Sequence, residues 1–300
     1  MITERNNLNE EMIKKNPEIV MTNNPHEADF LISQSSILFP QHLNKTIYIG
    51  CEAPRTDHRI WCYNHFDKMH TVFCHNPDPT KLNQFPMTQD DSAQYYPTRP
   101  DPYEAITRED TKIHTRGVFY AGMINMFEGQ PDFCGGINIT PLRITLGNYF
   151  LKEFPGSIIK GIGWFGQTTK PDDWRTNTKK NAILNSECDF VLCLENTIYP
   201  NYLYEKIWDA FNTDRVALYL GDPRIEFHIP INCFVDLRPY FNTTTKAFDT
   251  EALGKRLREM TQEEYDEILN NARTFRETGK GKYRYYMDEL TKRIIDIILK

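Results

Sequence analysis

The segment DFVLCLENTIYPNYLYEKIWDAFNTDRVALYLGDP, residues 189–223, begins with an apolar run, FVLCL, that reads as a buried strand ending in Glu195 and Asn196. A turn containing Pro200 and Asn201 follows, and the pattern predicts a helix from near Tyr202 with Asn201 as its cap. Glu205 and Lys206 then fall in the first turns of that helix. There, unpaired backbone N–H groups and the positive end of the helix dipole can face an anion, and a lysine adds a mobile point charge for phosphate. The next run, RVALYLG, predicts a second strand with a tight exit through glycine and proline beside the same pocket. Any doubly wound protein contains strand, turn, helix and strand, so these residues alone leave a phosphate site and a plain structural unit both open.

The same alternation extends to either side. GVFYA, PLRITLGNYFLKEF, SIIKGIG and KKNAILNS precede the segment, and NCFVDL and a helical stretch after Asp249 follow it. Strands alternating with helices imply crossover units on a parallel sheet, whose ligands sit beyond the carboxyl ends of the strands. Nearer the N-terminus, EIVM, ADFLIS, TIYIG, RIWCY and HTVFC predict strands of a separate first α/β unit. Between the two units, residues 76–112 scatter Pro77, Pro79, Pro86, Pro97, Pro100 and Pro102 among polar side chains and read as irregular connection. The last segment, YRYYMDELTKRIIDIILK, puts Tyr286, Leu290, Ile294 and Ile297 on one helical face. The division predicted is therefore 1–112, 113–280 and a terminal helix in 281–300 that packs against the core or back across the first domain.

Composition excludes several classes. A net charge of −6 argues against a general nucleic-acid binder, which gains affinity from a lysine and arginine surplus. No apolar run reaches the roughly eighteen residues that mark an integral membrane span, although the terminal helix leaves peripheral contact open. The polar start, MITERNNLNEEMIKKN, lacks the features of a secretory signal and points to the cytoplasm. Cys51, Cys62, Cys74, Cys134, Cys188, Cys193 and Cys233 contain no CxxC pair and read as reduced and mostly buried. Asp90-Asp91 and Asp172-Asp173 are acidic pairs but follow no apolar strand, so neither reads as a metal site.

The order FVLCLENT, IYPN, YLYEK, IWDAFN, VALYLG closely resembles the donor-binding signature of the α1,3/4-fucosyltransferases of glycosyltransferase family ten: F-x-x-x-F-E-N-S, a spacer, Y-V-T-E-K, an apolar helix and P-V-Y-x-G. Leu194, Thr197, Tyr204 and Ala217 depart from that pattern. Upstream, PLRITLGNYFLKEF resembles the family segment in which an arginine, here Arg143, binds the donor diphosphate. In the first unit, IYIGCEAPRTD resembles the G-x-E-S-P turn that carries the catalytic base, here Glu52, with Ala53 in place of serine.

This resemblance implies an α/β, GT-B-like fold, with two Rossmann-like domains facing each other across a cleft. It implies an inverting glycosyltransferase that moves L-fucose from GDP-fucose to a hydroxyl of a galactose- or N-acetylglucosamine-containing glycan in α1,3- or α1,4-linkage. The alternatives are another nucleotide sugar on the same architecture, or a non-catalytic nucleotide- or carbohydrate-binding module. Glu52 would be the base, and Arg143, Glu195, Asn196, Tyr202, Glu205 and Lys206 would bind the donor. Cationic side chains would stand where other enzymes hold a metal, so no cofactor is expected.

Overall fold

The computed structural model describes residues 10–22, 24–34, 39–49, 65–74, 80–86, 105–122, 136–164, 177–278 and 285–300. Glu52, the predicted strand RIWCY and the acidic pairs Asp90-Asp91 and Asp172-Asp173 lie outside these residues.

Among the described residues, the first elements are a short helix α1 (Glu10–Lys14) and four strands, β1 (Leu31–Gln34), β2 (Thr46–Ile49), β3 (Thr71–Cys74) and β4 (Gln84–Pro86). They pair in parallel in the order β1-β2-β3-β4. The predicted strand EIVM does not form: Val20 and Met21 are exposed and, among the described residues, no strand pairs with them. Conversely, β4 lies in the stretch read as irregular. Among the described residues β4 is an edge strand, the place in a sheet where proline is tolerated.

A second set follows: β5 (Val118–Ala121), β6 (Ile137–Asn138), α2 (Thr140–Glu153), β7 (Ile158–Lys160), α3 (Asn177–Leu184), β8 (Phe190–Leu194) and β9 (Thr197–Ile198). Then come α4 (Lys206–Asn212), β10 (Val216–Leu220), β11 (Val235–Asp236), α5 (Thr250–Glu259), α6 (Gln262–Glu277) and α7 (Tyr285–Ile298). Five of these strands form an all-parallel sheet in the order β11-β10-β8-β5-β7.

Burial on both faces explains the unbroken apolar runs. Val118, Tyr120, Phe190, Leu192, Leu194, Val216, Leu218 and Leu220 point to one face and pack with Leu142, Leu146 and Phe150 of α2 and Leu253 and Leu257 of α5. The alternate residues, Phe119, Val191, Cys193, Ala217 and Tyr219, pack on the other face with Ile207, Trp208 and Phe211 of α4 and Ala272 and Phe275 of α6. Asp249 caps α5 through the Ala252 N–H at 2.9 Å.

Numbered within this sheet, the strands run second, first, third, fourth, fifth. The chain leaves β5 for the edge strand β7 and then crosses back to β8, which makes the gap between β5 and β8 the switch point where doubly wound sheets bind ligands.

α7 returns to the first sheet, where Leu290 and Ile294 join Ile13 of α1 and Ile32, Ile47, Ile49 and Phe73 in one cluster. Among the described residues, no helix is long and apolar enough to cross a membrane.

Candidate active site

The site grows from the carboxyl ends of β5 and β8. After β5 the chain enters β6, whose Asn138 Oδ1 accepts the Thr140 N–H at 3.0 Å and the Thr140 hydroxyl at 2.8 Å; with Pro141 in the first turn, this starts α2. After β8 the chain enters β9, which pairs antiparallel with β6. The Ile139 N–H donates to the Asn196 carbonyl at 3.3 Å. This small ribbon ties the two sides of the switch point together and brings Arg143 of α2 to the residues after β8. One guanidinium nitrogen of Arg143 donates to Asn196 Oδ1. Asn196 Nδ2 in turn donates to the Tyr202 hydroxyl at 3.2 Å.

The segment between Asn196 and Lys206 corrects the sequence reading. α4 begins at Lys206, not near Tyr202, and Asn201 is a turn residue with φ 60° rather than a helix cap. The cause is a cluster of Tyr199, Tyr202 and Tyr204, all buried, with the rings of Tyr202 and Tyr204 5.3 Å apart. Side chains two residues apart share a side only on extended backbone, so the tyrosines override the helical pattern. The Tyr204 N–H, freed from any helix, donates to Glu195 Oε1 at 2.8 Å. The seven-residue α4 therefore supplies no anion site upstream of Glu205; the cation at its start, Lys206, is what remains of that expectation.

Glu195 has no exposed surface. Its Oε2 lies 2.5 Å from Lys206 Nζ, so both carboxylate oxygens are engaged from inside. Burial raises the Glu195 pKa above the usual carboxylate value although Lys206 and the Tyr204 N–H pull it down. Burial works against the Lys206 ammonium, but the carboxylates of Glu195 and Glu205 outweigh it and raise the Lys206 pKa. The ammonium also lies 5.2 Å from the Tyr204 ring centroid, within cation–π range. Lys206, 18% exposed along its side chain, is thus a charged group fixed from below with one side towards solvent.

Space for this pair depends on Gly221, at the exit of β10. A Cβ there would meet Glu195 Cγ at 2.4 Å and the Tyr219 hydroxyl at 2.5 Å. The Asp222 N–H donates to that hydroxyl at 3.0 Å, and the Asp222 carboxylate pairs with buried His228 at 2.8 Å.

Of the predicted donor residues, the structure thus brings Arg143, Asn196, Tyr202, Glu195 and Lys206 into one connected group at the switch point. Asn196, Glu205 and Lys206 are half-buried and reach the surface. Arg143 is 4% exposed, while Glu195 and Tyr202 lie wholly behind the surface a ligand would meet. Sequence reasoning missed Tyr120 at the end of β5, taking it for an ordinary strand residue; its one signal is a phenol at a strand's carboxyl end, two residues before Gly122. A cavity of about 590 Å³ lined by Arg108, Asp110, His114 and Arg215 opens at the amino ends of β5, β8 and β10, the wrong edge for a ligand of a doubly wound sheet.

Residues 157–270 match the family model described as glycosyltransferase family 10 (fucosyltransferase), C-terminal. A stretch of 66 residues is 38% identical to the 4-galactosyl-N-acetylglucosaminide 3-alpha-L-fucosyltransferase 9 of Bos taurus, covering 21% of this chain and 18% of that protein. Three solved structures are similar over nearly the whole chain. An α1,3-fucosyltransferase aligns with TM-score 0.57 and 15% identity over 96% of this chain and 82% of that one. An α1,3-fucosyltransferase with GDP gives 0.55 and 14% over 93% and 79%. An α1,3-fucosyltransferase with GDP-fucose gives 0.54 and 14% over 92% and 79%. At such identities the likeness is one of fold, a GT-B-type arrangement of parallel α/β sheets.

Proposed function

We infer that this chain, which carries a glycosyltransferase family 10 C-terminal domain in residues 157–270, transfers L-fucose from GDP-fucose to a hydroxyl of a galactose- or N-acetylglucosamine-containing glycan. The linkage formed is α1,3 or α1,4, with inversion at the anomeric carbon. The observation that carries this reading is the convergence of two cations, Arg143 and Lys206, on the switch point of the second sheet, Arg143 held by half-buried Asn196 and Lys206 by fully buried Glu195.

In the reaction, the acceptor oxygen bonds to the anomeric carbon of the β-linked donor as the bond from that carbon to the diphosphate breaks. The hydroxyl proton passes to Glu52, assigned as the base by its likeness to the family's G-x-E-S-P turn. A positioned base is worth about 10²- to 10⁴-fold in rate. GDP leaves with the bonding electrons, and Arg143 and Lys206 meet the charge it gains. Each well-placed donor of this kind lowers the barrier by about 3 to 4 kcal/mol, because it is fixed before charge develops. Glu195 acts one step back by holding Lys206, and Asn196 and Tyr202 orient the Arg143 guanidinium. Glu205, half-buried beside Lys206, is the residue assigned to donor hydroxyls. With two cations facing the diphosphate, we assign no metal or cofactor.

Incubation with labelled GDP-fucose and a panel of galactose- and N-acetylglucosamine-containing acceptors, with the linkage then identified, tests this. Fucosylated product is expected, and Glu52→Gln should lower turnover by about a hundredfold or more while GDP still binds. Absence of both transfer and donor hydrolysis in the wild type would remove the assignment, and an unimpaired Gln variant would remove Glu52 from it.

A further inference from the structure

Tyr120 stands at the switch point, at the carboxyl end of β5, with its ring base in the core shared with Leu142 and Leu194. Its side chain bends along the strand over Gly122: a Cβ on that glycine would lie 2.2 Å from the Tyr120 hydroxyl oxygen and 2.6 Å from Cζ. The absence of a side chain at Gly122 is what lets the phenol reach the edge of the sheet. The residue is only 3% exposed, and among the described residues its hydroxyl has no hydrogen-bond partner. A buried hydroxyl without a partner costs stability, and phenylalanine would fill the same space without that cost. The charges that act on this phenol are those of Arg143 and Lys206.

We propose that the Tyr120 hydroxyl is a third donor to the diphosphate of the bound nucleotide sugar, completing with Arg143 and Lys206 a cradle at the switch point. This rests on the reading of the site as one for GDP-fucose. Burial pushes the phenol pKa above its ordinary value, so the group stays protonated and donates. Being neutral, it adds a hydrogen bond without a third positive charge beside Arg143 and Lys206, whose mutual repulsion already opposes their approach.

The test is Tyr120→Phe, which keeps the ring and removes one oxygen, followed by calorimetric titration with GDP and by thermal unfolding of the free protein. The expected result is a loss of about tenfold in GDP affinity, since hydrogen bonds to charged groups are among the stronger ones. The melting temperature of the free variant should equal or exceed that of the wild type, because a buried polar atom with no partner is gone. Unchanged GDP affinity overturns the proposal, and a lowered melting temperature with unchanged affinity does so by showing the hydroxyl to be structural. A wild-type protein that binds no GDP would instead sink the reading of the site itself, a result distinguishable from failure of Tyr120 alone.

Discussion

Glu195 is a carboxylate with no exposed surface, and the Lys206 ammonium is what makes that tolerable. Desolvating each ion costs several kcal/mol, which their attraction offsets only in good geometry, so removing one partner strands the other. Lys206→Ala should therefore destabilise the fold by about 3 to 5 kcal/mol in denaturant titration, over and above its effect on GDP. The pair Glu195→Gln with Lys206→Met should recover most of that loss while GDP affinity stays low, which separates support from binding. A Lys206→Ala protein as stable as the wild type would show that the pair is not formed. The cations of the site were legible in the sequence because arginine at a helix start and lysine after a strand-turn are meaningful side chains at meaningful places. The support beneath them was not. Glu195 reads as a donor ligand until the extended route through Tyr202 and Tyr204 folds Lys206 back onto it across eleven residues. Tyr120 is hidden for a related reason: in a run such as VFYA a tyrosine counts as apolar, and only the strand order shows that its hydroxyl ends at the switch point.

Among the elements, β8 and β10 could be read directly, since five successive buried residues in each match a strand covered on both faces. The start of α4 could not be, because Tyr202 and Tyr204, at extended spacing and clustered with Tyr199, outcompete a helix pattern that local residues favour. The exit of β10 is equally demanding. With a Cβ on Gly221 set 2.4 Å from Glu195 Cγ, Gly221→Ala must push the carboxylate off Lys206 or shift the loop. Overpacking of this kind costs about 1 to 3 kcal/mol, and GDP affinity should fall with stability in the same variant. An alanine variant that melts and binds like the wild type would mean that the glycine marks no close approach.

For the whole molecule, recurring apolar runs announced a first α/β unit and alternating strands and helices a second, but the order of strands, and with it the switch point, became visible only in three dimensions. α7 joins the ends of the chain: Ile294, with no exposed surface, sits among residues of β1, β2 and β3, so Ile294→Ala should cost about 2 to 5 kcal/mol in denaturant titration although it is remote in sequence from that sheet. A loss well under 1 kcal/mol would mean that the helix only rests there. The thiols report on the second sheet. Burial pushes the Cys233 pKa up to about 12 and also raises those of Cys188 and Cys193. A raised thiol pKa keeps the unreactive protonated form until pH rises through the higher value. Near neutral pH, mapping of thiol-reagent adducts by mass spectrometry should thus find these three unmodified in the folded protein and modified once it is unfolded. Rapid labelling of the native state would contradict their burial. The grip of Arg143 and Lys206 on a sugar diphosphate is tested most directly by calorimetric titration of GDP into the wild type and into Arg143→Met, which keeps most of the volume and removes the charge. Binding to the wild type and a loss of about tenfold or more in the variant are predicted; equal affinity in two proteins that fold alike would contradict it.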